Sequence, residues 1–283
     1  MTEIRTIDAR HLGRERVIAT FLIDGCLVDP GPESSLENVL AALGDERPER
    51  ILLTHIHLDH AGGTGALVRR WPDLEVWVHE RGAPHVHDPA KLISSASRLY
   101  GDDMERLWGE IVPVPQESLK VLTGSERLGD WRVAYTPGHA SHHVSYLHEP
   151  SGTAFTGDAA GVRIPPDGPI MAPTPPPDID LEAWPRSIDA IAAWKPERLA
   201  VTHFGLWEGD VPDHLAALRE QLDRQVAWAR DAAGVDDFAD RIRAYLTELT
   251  DEETAAAYEQ GMPPDHLYPG LERALRRVTS PQT

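Results

Sequence analysis

Residues 54–63 read Thr54-His55-Ile56-His57-Leu58-Asp59-His60-Ala61-Gly62-Gly63, and Ile51-Leu52-Leu53 directly before them is a short apolar run of the kind that forms a buried strand. Three imidazoles and one carboxylate therefore fall within six residues at the end of a strand. On an extended loop His55 and His57 project to one side, while Asp59 and His60 can turn toward a neighbouring position, which suits two metal ions better than one. Gly62 and Gly63 let a second stretch of backbone pack close to the site.

Outward from this stretch, apolar alternation and turn residues predict a hairpin over 17–28, closed by the tight pair Asp24-Gly25, and strands at 74–80, 131–136, 144–149, 153–158 and 199–205. Helical periodicity marks 33–43, 89–108 and 181–194. Hairpins mixed with crossovers predict an α/β layered fold with mixed sheets. Three of these strand ends carry chemistry of their own, in Thr136-Pro137-Gly138-His139, Thr156-Gly157-Asp158 and Val201-Thr202-His203.

With those motifs in place, residues 17–205 resemble the metallo-β-lactamase-fold hydrolases, of the glyoxalase II and lactonase kind, whose metal ligands come in this order and in these surroundings. The resemblance implies an α/β, four-layer αββα sandwich. It also implies one metal held by His55, His57 and His139, a second held by Asp59, His60 and His203, and Asp158 bridging both. Imidazole and carboxylate donors suit Zn²⁺, with Fe or Mn as alternatives, and two ions about 3.5–4 Å apart can share a hydroxide. Asp59 is placed to hold or relay that water's proton. Asp29, in Asp29-Pro30-Gly31, matches a position that supports the metal loop. His142 and His143 follow His139 closely, and the expectation is that His143 packs against and fixes the His139 loop.

Departures from better-known branches narrow the reaction. The single Cys26 lies far upstream, in a strand, so no Cys serves a second metal site as in antibiotic-hydrolysing members. His57 stands where oxygen-reducing diiron members carry Glu. Ala159-Ala160-Gly161-Val162 follows Asp158, so neither the glyoxalase Gly-Cys-Gly-Arg run nor the lactonase Tyr three residues on is present. What remains is a dinuclear hydrolase of an ester, lactone or thioester of a small molecule. The alternatives are an iron-dependent persulfide dioxygenase and a non-catalytic metal-binding protein.

Composition adds exclusions. The 283 residues hold 27 Lys plus Arg against 46 Asp plus Glu, a formal charge of −19, which disfavours nucleic acid and points to neutral or weakly charged substrates. The first twenty residues lack an apolar core of about 7–15 residues, and no stretch reaches the roughly 20 apolar residues of a membrane span, so a cytoplasmic location is expected. Seven prolines lie within 165–177, seven residues beyond Asp158, and this stiff loop is expected to overhang the metals with Ile170 and Met171 as apolar pocket contacts. His79, His85 and His87 are read as strand-end or loop histidines, and His11, His148, His214 and His266 join no constellation. Beyond 205 the pattern is helical only, at 212–233, 236–249, 251–260 and 265–278, with Thr250 to Glu253 as a capping box. The division expected is a catalytic domain over 1–205 and a helical extension over 206–283 that caps the pocket or forms a homodimer interface.

Overall fold

The computed structural model describes residues 2–165 and 168–279; Pro166, one of the seven prolines, lies outside them. The strands are β1 (Arg5–Asp8), β2 (Ala19–Ile23), β3 (Cys26–Val28), β4 (Arg50–Leu52), β5 (Glu75–His79), β6 (Leu119–Leu122), β7 (Arg127–Leu128), β8 (Trp131–Tyr135), β9 (Val144–His148), β10 (Thr153–Phe155), β11 (Arg198–Val201) and β12 (Gly205–Trp207). The helices are α1 (Leu36–Leu43), α2 (Leu58–Ala61), α3 (Thr64–Arg70), α4 (Ala83–His87), α5 (Ala90–Tyr100), α6 (Met104–Trp108), α7 (Ala183–Ala193), α8 (Val211–Asp231), α9 (Val235–Leu249), α10 (Glu252–Gly261) and α11 (Pro264–Thr279).

The first six strands form one sheet in chain order, and the other six form a second sheet in the order β12-β11-β10-β9-β8-β7. Both are mixed: β3 to β6 run parallel, as do β10 and β11, and the other neighbours are antiparallel. Period-two alternation decides which side chains go where. Phe21 and Ile23 of β2 meet Tyr146 and Phe155 of the second sheet in a layer between the sheets, while Leu22 between them faces outward onto helices. Cys26 is fully buried in the same inter-sheet layer. The outer face of the first sheet packs on Val39 and Leu43 of α1 and Leu67 of α3. The outer face of the second packs on Trp184, Ile188 and Ile191 of α7 and Leu215, Leu218 and Leu222 of α8. Helix, sheet, sheet and helix form the expected four-layer sandwich.

The first hairpin turns as predicted, with Asp24 at φ 45° and Gly25 at φ 71°, the two positive values that a tight two-residue connection needs. The periodic stretch 89–108 is two helices, because Gly101 at φ 53° ends α5 before α6 begins. The cap of α10 also differs from the expectation. Asp251, not Thr250, is the N-cap, its carboxylate accepting from the backbone N–H of Thr254 at 2.7 Å, while Thr250 donates its hydroxyl back to Leu246 O at the end of α9. A charged acceptor at the start of a helix outcompetes a hydroxyl one position earlier.

The four C-terminal helices α8 to α11 strap the Pro-rich segment onto the sandwich. Gln225 of α8 bonds both the N–H and the C=O of Ala172, and the Tyr258 hydroxyl of α10 accepts from Ile164 N–H at 2.9 Å and donates to Pro169 O at 2.5 Å. Asp210 caps α8 by accepting from Asp213 N–H. No helix among the described residues is long and apolar enough to cross a membrane.

Gly138, in the turn before His139, has no room for a side chain. Its φ is +144°, and a Cβ there would lie 2.5 Å from the Cα of Trp184 in α7. Gly138→Ala is therefore expected to cost about 3 kcal/mol through forced separation of α7 from the turn. A urea titration reads this as a lower midpoint with unchanged slope; an unchanged midpoint would show that α7 gives way freely.

Candidate metal centre

The expected ligands follow strands, His55 past β4, His139 past β8, Asp158 past β10 and His203 past β11, and the supporting Asp29 follows β3. The donors of β8, β10 and β11 leave their sheet at the same end, because β8 and β10 are both antiparallel to β9 and β11 is parallel to β10. The His57 backbone is extended and precedes α2, whose first turn carries Asp59 and His60. A short helix after an extended pair thus turns two donors one way and two the other.

The structure brings these side chains into overlapping groups whose donor atoms lie within 4.8 Å of one another: His55 with His57 and His139, His55 with His60 and Asp158, and Asp59 with His60 and His203. His57 Nδ1 is 3.0 Å from His55 Nε2 and 2.9 Å from His139 Nε2. His203 Nε2 lies 3.3 Å from Asp59 Oδ2, and His60 Nε2 lies 3.7 Å from the same oxygen. Asp158 spans the two groups, with Oδ2 at 3.3 Å from His139 Nε2 and Oδ1 at 3.3 Å from His60 Nε2.

What lies behind each ring determines which nitrogen faces the centre. His60 Nδ1 donates to Asp29 Oδ2 at 2.8 Å, His139 Nδ1 to Pro173 O at 2.9 Å and His203 Nδ1 to Val17 O at 2.6 Å. The opposite nitrogens are left as acceptors that converge on one another. His57 Nδ1 carries at most one proton and cannot satisfy both neighbours. Among the described residues, His60 Nε2, His203 Nε2 and Asp158 Oδ1 are buried without a hydrogen-bond partner. Lone pairs gathered this way call for a cation, and the donor set of imidazole and carboxylate fits one.

Asp29 is fully buried and receives, besides His60, the backbone N–H and hydroxyl of Thr54 and the hydroxyl of Thr202. It anchors the ends of β4 and β11 to the ring of His60. His143 shares a 2.9 Å hydrogen bond with the Thr136 hydroxyl and stacks on His55 with ring centroids 4.9 Å apart, so it packs behind the donors. Gly157 completes this wall, since a Cβ there would meet the Thr54 side chain and His143 Nε2.

Electrostatics divide the donors. Burial, followed by repulsion from His60 and His57, holds the His55 imidazole well below its ordinary range. Burial and neighbouring His139 bring His57 down to about 4, and burial lowers His139 against the attraction of Asp158. These three rings are neutral at physiological pH and offer lone pairs. For His60 and His203 burial acts the same way, but carboxylates outweigh it: Asp59, Asp158 and Asp29 push His60 well up, and Asp158 and Asp59 raise His203. Asp59 and Asp158, despite burial, are held below the usual carboxylate range by His60, His139 and His203. This half of the centre is thus built for positive charge.

The centre forms the floor of a cavity of about 450 Å³, reached by His57, Asp59, His139 and Asp158. Ile170 and Met171 are not among its lining residues, contrary to expectation. Both are buried in the hydrophobic core: Met171 pairs with Val162 in a β-bridge and touches Gln221 of α8 through its sulfur. The Pro-rich segment reaches the cavity farther along, through Pro173 and Pro175 to Pro177. His79 is a strand-end residue stacked on Tyr135, as expected. His85 and His266, by contrast, line the cavity.

Sequence reading missed the rest of the wall. Leu92, Ala96 and Leu99 form one stripe of α5 facing the cavity, and Lys91, Ser95 and Arg98 form the adjacent stripe. Arg81 joins them from the loop before α4, Met262 from the turn between α10 and α11, and His266 and Leu267 from α11. The i, i+4, i+7 spacing of the apolar stripe was visible in the sequence, but it fits a core face equally well.

The profile of the Metallo-beta-lactamase superfamily matches residues 16–203. ST1585, a metallo-beta-lactamase fold-containing protein of Sulfurisphaera tokodaii, is 28% identical over 208 residues, 71% of this chain and 76% of that protein. The crystal structure of ST1585 has a TM-score of 0.71 and 23% identity over 96% of this chain and 99% of that one, a likeness of fold that extends through the C-terminal helices. A hydroxyacylglutathione hydrolase of Legionella pneumophila is 30% identical over 132 residues, 46% of this chain and 41% of its own length. The alignment thus spans less than half of that enzyme. TTHA1623, crystallised in a di-iron-bound form, has a TM-score of 0.51 and 29% identity over 64% of this chain and 83% of that one.

Proposed function

Because this chain belongs to the metallo-beta-lactamase superfamily, we propose that it is a dinuclear metal-dependent hydrolase that cleaves an ester, lactone or thioester bond of a small molecule. The observation that carries this reading is the convergence of donors in two groups joined by Asp158 on the floor of a cavity. His55, His57 and His139 would hold one ion and Asp59, His60 and His203 the other, with Asp158 shared. When bound, such ions supply Lewis acidity that lowers the pKa of water to about 7 and polarises a carbonyl, so no Ser or Cys nucleophile is needed.

The protein's own groups do the rest. Asp59 faces the cavity with part of its side chain accessible, and it is the carboxylate placed to take a proton from water at the floor and pass it on. Asp29, Val17 O and Pro173 O fix the rings of His60, His203 and His139, so the donors need no reorganisation during the reaction. The apolar stripe of α5 and the prolines above the floor limit water and seat an acyl group.

The experiment is elemental analysis of freshly purified protein joined to a panel of esters, lactones and thioesters. We expect about two ions per chain, zinc foremost, and turnover of at least one member of the panel. Protein that carries no transition metal would overturn the reading. The di-iron form of TTHA1623 supports a second reading: iron in place of zinc, with oxygen consumed in the presence of a thiol or persulfide, would move the assignment to an oxygenase.

A further inference from the structure

The cavity wall has a charge opposite to that of the chain. The protein carries −19 overall, yet outside the metal centre the lining holds, among the described residues, Arg81, Lys91 and Arg98 against a single carboxylate, Asp178. Asp178 is occupied by the Ser141 hydroxyl, which donates to it at 2.5 Å. Cations elsewhere are mostly paired, as in Arg69 with Glu110, Arg219 with Asp189 and Arg243 with Asp265. Among the described residues, Arg81, Lys91 and Arg98 have no carboxylate within ion-pair distance; Arg81 lies 5.6 Å over the Tyr135 ring, and Arg98 spends only its Nε on Ser94 O.

Two further features make this more than a solvated surface. Helix α5 buries none of its residues, so its contribution to the core is small and its composition is free to serve something else. Its two stripes also divide the wall by chemistry, Leu92, Ala96 and Leu99 beside Lys91 and Arg98. The volume of about 450 Å³ lies in the range, roughly 300–1,000 Å³, of small-molecule sites.

We propose that the substrate is an amphiphilic anion, with an apolar segment seated on the Leu92–Leu99 stripe and a carboxylate or phosphate bound by Arg81, Lys91 and Arg98. The proposal rests on the hydrolase reading and specifies its substrate class. The anion is distant from the scissile bond and held by charge-assisted hydrogen bonds, so it contributes binding and orientation rather than chemistry. The global negative charge then acts as a filter, since polyanions are repelled by the body of the protein while a small monoanion meets a local positive field.

The test compares 4-nitrophenyl hydrogen adipate with 4-nitrophenyl hexanoate, in the native protein and in the R81Q/K91Q/R98Q variant, with circular dichroism and metal content as folding controls. Native protein is expected to favour the anionic ester by about tenfold or more in kcat/KM, chiefly through KM, and the variant to bring that ratio near one. Equal use of both esters by native protein, or a preference that survives in the variant, overturns the proposal. Calorimetric binding of octanoate, octyl phosphate and octanamide separates this from failure of the hydrolase reading. If neither ester is cleaved, tighter binding of an anion than of octanamide in native protein alone still supports the anion site, and its octanoate and octyl phosphate arms distinguish carboxylate from phosphate. Equal binding of all three, or anion preference in both proteins, overturns it.

Discussion

Asp158→Ala, purified beside the native chain, is expected to lose more than half of its bound metal and at least about a thousandfold in kcat/KM. Among the described residues, Asp158 is the one carboxylate that faces both groups of donors, through Oδ2 toward His139 and Oδ1 toward His60 and His203. Its removal leaves the three neutral rings without the negative charge that makes a dication welcome, and leaves Asp59 alone to balance the other half. His57→Ala is the comparison. It takes a donor from one group only, so metal content is expected to fall toward one ion, with hydrolysis lost as well. Elemental analysis of the two variants separates a shared ligand from a terminal one. Equal metal loss in both, or native metal and activity within tenfold in Asp158→Ala, would remove the bridging assignment.

The pattern of strands found and missed has a physical reason. The hairpin β2-β3 and the strands β4, β5, β8, β9, β10 and β11 are all legible in the sequence. The four strands that are not, β1, β6, β7 and β12, are the edges of the two sheets. An inner strand has neighbours on both sides and core on at least one face, so it is written in apolar residues. An edge strand such as Leu119–Leu122 exposes Lys120 and Val121, which removes both the run and the alternation.

The same reasoning separates the floor of the site from its walls. The donors and Asp29 follow strand ends and stand in short motifs: spacing brings the cluster from His55 to His60 into view, and the resemblance those motifs carry adds His139, Asp158, His203 and Asp29. The walls come from α4, α5, the Pro-rich segment and α11, which are far apart in sequence and share no motif. Ile170 and Met171 were a natural guess for a loop so close to Asp158. Pairing of Met171 with Val162 and the grip of Gln225 on Ala172 turn that stretch inward instead. Net charge is coarse in a related way, because −19 summed over the chain says nothing about the local placement of Arg81, Lys91 and Arg98 at one cavity.

Asp29→Ala is expected to be the most destabilising single substitution near the centre, at about 4 kcal/mol or more. The carboxylate is wholly buried and receives four hydrogen bonds at 2.7–3.1 Å, from Thr54 N–H, the Thr54 hydroxyl, His60 Nδ1 and the Thr202 hydroxyl. Alanine leaves those donors in a dry pocket at about 1–3 kcal/mol each where no water enters. It also puts Ala at φ 48°, a left-handed conformation that costs an ordinary side chain about 1 kcal/mol more. Against a typical stability of about 5–15 kcal/mol this is a large fraction, so thermal unfolding is the first measurement. Asp29→Asn keeps the shape and tolerates the left-handed backbone, but an amide presents one oxygen and one NH₂ to a set of donors, so at least one donor meets another. The Asn variant should therefore fold with a loss of about 1–2 kcal/mol while its metal affinity falls about 10–100-fold, because the ring of His60 loses the charge that orients it. Chelator titration of the Asn variant reads that second effect without unfolding the protein. Native-like melting of Asp29→Ala together with native-like chelator resistance of Asp29→Asn would reduce Asp29 to a turn residue.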